Sequence, residues 1–347
     1  MSKVLKIGNI KISPSHKPAI IAEIGINHNG SIEKAIKIAD SAIKSGAKII
    51  KHQTHIAEDE MSIEAKKVVP GNSRKNIYDL VKKCSLSEED EFKLMRYIQK
   101  KNRIFISTPF SRKAVDRLVK FKVPAFKIGS GECNNYLLVD YIARKKKPII
   151  LSTGMNSIDT IKPSVKIIEK YKNPYALLQC TNIYPTPPKL IRLNDFHLLK
   201  KHFPKSIIGL SDHTSDIYVS VGAIGLGACI IEKHFVDKKN FSGPDVSSSM
   251  DQYELKELIK ASEQVFLART SNGKKPVKEE RQTIKFAFAS AVATEDIIKG
   301  QFLNLKNFYL MRPGNGDFNI HNYKKLINKR AKRNIKKNTQ IKLKDIF

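Results

Sequence analysis

Eight stretches of the chain share one pattern: each opens on aliphatic or aromatic residues and closes on polar ones. They are AIIAEIGIN (19–27), AKIIKHQTH (47–55), RIFISTPF (103–110), AFKIGSGE (125–132), PIILSTGM (148–155), YALLQCTNIYP (175–185), SIIGLSDHT (206–214) and ACIIEKHFV (228–236). Several are nearly continuous in Ile, Val, Leu and Phe, the composition of strands buried on both faces. Segments of helical period lie between them. In SIEKAIKIADSAIKSGA, Ser31 is placed to cap a helix, Ile32, Ala35, Ile36, Ala39, Ala42 and Ile43 form its apolar face, and Gly46 suits its end. In SLSEEDEFKLMRYIQKK, Ser87 with Asp90 three residues on predicts a helix start, with Phe92, Met95 and Ile98 on its apolar side.

Eight strands with a crossover after each imply a parallel sheet, and the count predicts an α/β fold closed into a (β/α)8 TIM barrel. An open doubly wound sheet is the alternative, but no GxGxxG follows the first strand. In a barrel the eight polar strand ends meet at one face, where such folds build their sites. After about residue 270 the alternation stops. SNGKKPVKEERQ is polar and carries Gly and Pro, the composition of a linker. The pattern thus predicts a barrel over 1–270, a linker over 271–283 and a small domain over 284–347. That last domain is read as short alternating pieces followed by a basic helical tail.

Bulk composition narrows the function class. Hydrophobic content of 41% and charged content of 28% are those of a folded, soluble protein. The amino terminus alternates charge with single aliphatics, and VSVGAIGLGACII is too short and too glycine-broken to span a bilayer. Cys84, Cys133, Cys180 and Cys229 show no CxxC pairing, so the expectation is a reduced, cytoplasmic chain without a membrane partner. The net charge of +30 invites a nucleic-acid reading. Against it, 51 of the 63 basic residues are lysines scattered along the chain, and arginine is sparse. The dense run KKLINKRAKRNIKK (324–337) is read as a solvated helix face, and a nucleic-acid partner is not expected.

Particular strand ends carry chemistry. His213 and His234 close the last two strands, neighbours in a barrel, and at matching height their imidazoles would share one metal ion, Mn²⁺, Zn²⁺ or Fe²⁺. Lys51, Thr108, Lys127, Ser130, Asn182 and Ser211 would ring the mouth with ammonium, hydroxyl and amide groups suited to a phosphate. Lys51 and Lys127 stand inside apolar strands, where a buried ammonium needs an anionic partner. Glu23 and Glu132 are likewise charges in strands, placed to handle protons or simply to pair with a lysine.

The same strand ends carry a resemblance. EIGINHNG, KHQTHIAEDEMS, VVPGNS, STPFSR, FKIGSGECNNY, LSTGMNS, CTNIYPTP, GLSDHT, EKHF and SGPD resemble, in order, motifs of the bacterial sialic acid synthases, and the segment with MRPGNGDF resembles that family's antifreeze-like (SAF) domain. The resemblance implies condensation of phosphoenolpyruvate with N-acetylmannosamine and water, giving N-acetylneuraminate and phosphate. It implies a divalent metal on His213 and His234, usually Mn²⁺, with Mg²⁺ or Co²⁺ as alternatives. Lys51, Thr108, Lys127, Ser130, Asn182 and Ser211 match phosphoenolpyruvate positions, and Gln53, Asn72, Tyr184 and Asp245 match sugar positions. Glu23, Glu132, Lys51 and Lys127 fall at the reacting centre. Arg312 matches an arginine that, in a domain-swapped homodimer, covers the partner's barrel and reads the N-acetyl group. A sister synthase of a legionaminic- or pseudaminic-type sugar is the alternative within the family, with the product bound for a capsule or other surface glycan. Gln179 and SSSM (247–250) depart from the expected pattern without removing a matched site residue.

Overall fold

The computed structural model describes residues 4–71, 75–240, 243, 245–271 and 273–347. The chain forms two compact units, Met1–Thr270 and Ser271–Phe347.

The first unit opens with an antiparallel hairpin, β1 (Leu5–Ile7) and β2 (Ile10–Ile12). Eight parallel strands follow: β3 (Ala19–Gly25), β4 (Ile49–Thr54), β5 (Ile104–Pro109), β6 (Phe126–Ile128), β7 (Ile149–Ser152), β8 (Tyr175–Cys180), β9 (Ile207–Asp212) and β10 (Ile230–His234). They close as a barrel in sequence order, β10 pairing back onto β3, as the strand–helix alternation predicts. All the core strand residues but two are buried, because helices cover the outside and side chains fill the inside.

Alternation along each strand separates the two sides of this wall. Ile21, Ile49, Ile106, Ala125, Ile150, Ala176 and Ile230 fill the barrel interior, and Leu5, Ile7 and Ile12 of the hairpin pack into the same cluster. This apolar plug raises the polar layer at the C-terminal ends of the strands. The sequence reading did not foresee the hairpin, because three-residue strands leave almost no periodic signal.

The helix Ile32–Lys44 is capped by Ser31, whose hydroxyl accepts from Lys34 N, as expected. The helix Glu88–Lys100 is capped by Ser87 in the same way. Its inner face corrects the sequence reading. Glu91, Leu94, Met95 and Ile98 are buried, whereas Phe92 stays 45% exposed. A charged residue holds a core position that an apolar-period argument assigns to its neighbour. Among the described residues no helix is long and apolar enough to cross a membrane.

The second unit has its own core of Ala291, Ala293, Ile297, Leu303, Phe308, Phe318, Leu326, Ala331, Ile335 and Ile341. Strands β11 (Ser290–Ala293) and β12 (Phe308–Met311) pair antiparallel. A short helix, Arg281–Ala287, runs across the expected boundary at 283/284. The basic tail is not helical. Tyr323–Leu326 is one 3-10 turn, and isolated bridges tie Arg330 to Phe302, Ala331 to Ile346 and Ile335 to Ile297. Leu326, Ala331 and Ile335 turn inward while the lysines point out, so tertiary pairing overrides a composition that favours helix.

Candidate active site

The polar layer lines a cleft of about 130 Å³. Of the residues expected from sequence, Glu23, Lys51, Gln53, Thr108, Lys127, Ser130, Asn182, Tyr184, Ser211, His213 and His234 line it together. The strand register explains the gathering: Glu23 stands opposite Lys51, and His234 opposite Glu23.

Two buried lysines organise the floor. Lys51 Nζ donates to Thr108 Oγ1 at 3.0 Å and contacts the Glu23 carboxylate directly. Lys127 Nζ donates to Ser152 Oγ at 2.8 Å and lies 3.4 Å from Glu232 Oε1. That same oxygen is 3.9 Å from Lys51 Nζ and accepts from Ser211 Oγ at 3.2 Å. Burial pulls Lys51 toward neutrality, to about 7, while Glu232 works in the opposite direction. Burial also opposes ionisation of Glu232, but Lys127 and Lys51 outweigh it and hold the carboxylate below its usual range.

Glu232 is the main site residue that sequence reading missed. The signal was present: Glu232 stands in the apolar run IIEKHF, the same anomaly that singled out Lys51 and Lys127. Ser152, Cys180 and Phe110 also line the cleft and were not foreseen. A methyl group at Gly154 would overlap Asn182 Oδ1 and come within 2.9 Å of Ser130 Oγ, so that corner closes only with glycine there.

The two histidines meet above this floor, ring centroids 5.5 Å apart. His213 Nδ1 lies 2.9 Å from the Thr181 carbonyl, an acceptor only, so Nδ1 carries the proton and a neutral ring offers its Nε2 lone pair. His234 Nδ1 is buried without a hydrogen-bond partner, 3.7 Å from Asp245 Oδ2. Tyr184 packs on both rings, 4.2 Å from His213 and 5.9 Å from His234. Burial raises the Asp245 carboxyl to about 6. Among the described residues no group of three or more His, Cys, Asp and Glu side chains is disposed to hold an ion. The donor set is therefore two imidazoles, which suits a divalent cation that leaves positions open to water or substrate oxygen.

A second buried pair frames the histidines from outside the barrel. Lys233 and Asp212, both fully buried, face each other in register and lie 3.4 Å apart. Asp212 accepts from Thr214 N and Oγ1, both at 2.8 Å, and from Ser220 Oγ at 2.6 Å. Lys233 Nζ donates to Thr214 O at 2.5 Å. The turn carrying His213 is thereby pinned on both sides.

Other expected residues fall elsewhere. Glu132 stands in a 3-10 turn, Ser130–Glu132, outside the cleft lining. It accepts from Asn135 Nδ2 at 2.7 Å, and burial raises its carboxyl above the usual range. Asp245 sits behind His234 and does not line the cleft. Asn72, and Ser242 and Pro244 of the SGPD motif, lie outside the described residues. Arg312 belongs to the second unit, exposed, with Nε donating to Ala287 O at 3.0 Å. The departures have structural work: Gln179 Nε2 donates to Ile191 O at 3.1 Å, and Ser248 and Ser249 hydroxyls both bond the Asp245 carbonyl.

Comparison with known proteins agrees with this architecture. The NeuB family matches residues 38–274, and the SAF domain matches residues 288–346. An uncharacterized protein of Methanocaldococcus jannaschii is 40% identical over 90% of this chain and 90% of its own length. The N,N'-diacetyllegionaminic acid synthase of Campylobacter jejuni is 36% identical over 94% of this chain and 99% of its own. The crystal structure of N-acetylneuraminic acid (sialic acid) synthetase from Leptospira borgpetersenii, in complex with citrate, superimposes with a TM-score of 0.75 at 31% identity. It covers 82% of this chain and 96% of that one. The chain therefore belongs to the NeuB family and carries a SAF domain in its C-terminal unit.

Proposed function

We propose that this chain is a phosphoenolpyruvate-dependent synthase that condenses enolpyruvate with N-acetylmannosamine and water to give N-acetylneuraminate and phosphate. The observation that carries the reading is the buried Lys51–Glu232–Lys127 arrangement, ringed by Thr108, Ser130, Ser152, Asn182 and Ser211, directly beneath the paired His213 and His234. Such a ring suits a ligand with both phosphate and carboxylate. Charge-assisted bonds from Lys51 and Lys127 would then replace their internal contacts with Glu23 and Glu232.

In this reading C3 of the enolpyruvate attacks the aldehyde carbon of the open-chain sugar, forming the carbon–carbon bond and leaving positive charge at C2. Water adds at C2 and gives up one proton, which balances the one taken up by the new C4 hydroxyl. The tetrahedral intermediate then releases phosphate by C–O cleavage, its C2 hydroxyl proton leaving with the phosphate. Glu232 and Glu23 face the developing positive charge. Lys51, drawn toward neutrality by burial, is placed to exchange the proton that the new hydroxyl takes up. His213 and His234 would hold a divalent ion, Mn²⁺ in the first instance. Bound there, it supplies Lewis-acid polarisation of the aldehyde oxygen. Gln53 and Tyr184 flank the sugar side, Asp245 backs it from behind His234, and Arg312 of a second copy reads the N-acetyl group in a domain-swapped, cytoplasmic homodimer.

A second sugar has a specific observation behind it: the diacetyllegionaminic acid synthase is 36% identical, against 31% for the sialic acid synthetase structure. A 2,4-diacetamido hexose is the substrate of that reading. Phosphate release and product mass, measured with phosphoenolpyruvate and each sugar in Mn²⁺ with and without EDTA, test both. A chelator-sensitive nine-carbon acid is expected, its mass naming the sugar. Absence of phosphate release with every sugar would overturn the synthase reading.

A further inference from the structure

EIGINHNG and KHQTH each contain a histidine that the cleft does not use. His28 follows β3, and His52 lies on β4 between Lys51 and Gln53, facing away from the cleft. Both are buried, and their Nε2 atoms lie 3.2 Å apart.

Each proton in this contact is assigned by its neighbours. Gly30 N is a donor and sits 3.1 Å from His28 Nδ1, so Nδ1 accepts. A neutral His28 therefore carries its proton on Nε2 and donates it to His52 Nε2. His52 must then bear its own proton on Nδ1, which lies 3.1 Å from Glu91 Oε1. Glu91 is the charged residue in the inner face of helix Glu88–Lys100. Its other oxygen accepts from Arg117 Nη1 at 3.1 Å, and Thr54 Oγ1 donates to the same carboxylate as His52. With Thr54 donating there, the 2.7 Å contact between Thr54 and Ser107 hydroxyls runs from Ser107. The relay has one direction throughout: Gly30, His28, His52, Glu91.

The relay crosses the place where cleft geometry is least regular. The register between β3 and β4 shifts between Glu23 and Gly25, and Gly25 stands opposite His52. Gly25 N contacts the Glu23 carboxylate, which in turn contacts Lys51. Farther along the loop, Asn27 Nδ2 donates to Phe235 O and Ser249 Oγ, both at 3.1 Å, tying it to the end of β10 beside His234. Gly30 has φ +81°, and a methyl group there would overlap the Lys83 carbonyl, so the turn that presents its N–H to His28 has little freedom.

We propose that His28, His52 and Glu91 are positioning residues. With both imidazoles neutral, their one-way relay fixes the loop 25–30 and β4 so that Glu23, Lys51 and Gln53 are held toward the acceptor side of the cleft. The relay touches neither Lys127 nor Ser130, Asn182 or Ser211, so its loss should disturb turnover more than phosphoenolpyruvate binding. This second consequence rests on the synthase reading; the relay itself does not.

Two measurements on the full chain test it. In protein labelled with ¹⁵N-histidine at pH 7, His28 should show the Nε2–H tautomer and His52 the Nδ1–H tautomer. The opposite tautomer at either ring, or a doubly protonated His28, overturns the relay whether or not the protein has activity. The second measurement separates the two ends of His28. His28→Gln places an amide near Nε2 and keeps donation to His52, whereas His28→Asn places an oxygen near Nδ1 and keeps only the Gly30 contact. For a relay that positions the cleft, Asn should lower kcat by ~10-fold with KM for phosphoenolpyruvate within about twofold, and Gln should stay near the native value. Equal kcat in both variants, or loss only in Gln, would leave His28 a turn cap and overturn the proposal. Should a variant fail to fold, the tautomers in the unaltered chain decide.

Discussion

The inner and outer sides of the barrel wall both bury charges, and residues adjacent in sequence serve opposite sides. Lys51 and His52, Ser211 and Asp212, Glu232 and Lys233 alternate across the wall as strand geometry requires. On the outer side the buried carboxylates are satisfied by protein alone, although Arg117 Nε beside Glu91 has no hydrogen-bond partner. Asp212 accepts three hydrogen bonds besides facing Lys233, and Glu91 takes His52, Thr54 and Arg117. On the inner side, Glu232 Oε2 and His234 Nδ1 are buried with no hydrogen-bond partner. Satisfied charge holds a fold in one arrangement, whereas polar atoms left open face something the chain does not supply. The difference separates framework from site more sharply than burial, which is the same on both sides.

Substitutions on the two sides should therefore fail differently. On the synthase reading, Lys127→Ala should lower turnover by ~10³-fold, because an electrostatic anchor of the reacting anion is gone, while the thermal midpoint falls less than in Asp212→Asn, since Glu232 keeps Lys51 at 3.9 Å. Steady-state kinetics beside a melting curve measure both; a fall in midpoint as large as that of Asp212→Asn with little loss of turnover would assign Lys127 to the framework. On the outer side, Asp212→Asn should cost about 3 kcal/mol or more of stability, because Lys233 keeps its charge in a dry site. Urea unfolding reads that loss, and an unchanged midpoint would contradict the framework role.

Acid gives a finer comparison. Burial, reinforced by His52, depresses His28 from 6.5 to about 3. The unfolded chain therefore binds this proton before the folded chain does. Stability from His28 is complete above about pH 6.5 and falls as pH drops toward 3, with a slope of about 1.4 kcal/mol per pH unit for one proton. Urea midpoints at pH 7.5 and pH 5 should show a smaller acid loss in His28→Gln than in the native chain. Equal losses would place the proton elsewhere. The smallest effect belongs to Gly154→Ala, expected to raise KM for phosphoenolpyruvate by ~10-fold through displacement of Asn182 and Ser130, with kcat nearly unchanged. A fall in kcat alone would show that this corner acts on the reaction step and not on binding.

Most of the cleft was legible because two kinds of signal coincided. Polar termini after apolar runs located the layer, and charges inside those runs marked Lys51, Lys127 and Glu23. The same rule extends to Glu232, a charge inside the apolar run IIEKHF two residues before His234. Glu132 stands outside the cleft lining for a different reason: its segment leaves the strand at Ile128 and turns, so inward alternation no longer governs where its side chain goes. Phe92 and Glu91 show the limit of apolar periodicity, which cannot tell that a carboxylate is welcome in a core when His52 and Arg117 wait there.

By itself the sequence determined the eightfold alternation, hence the barrel, its polar end and most of the side chains that meet there. These follow from local periods of two and 3.6 residues and from the closure of eight parallel strands. Tertiary structure alone decided which buried charges are matched. Partners such as His52 and Glu91, or Asp212 and Lys233, are brought together by strand register and helix packing. It also decided that the basic run 324–337 is a bridged, turn-rich surface of the second unit and not a helix. In each case the outcome depends on contacts between distant segments, and no local pattern encodes the distance between them.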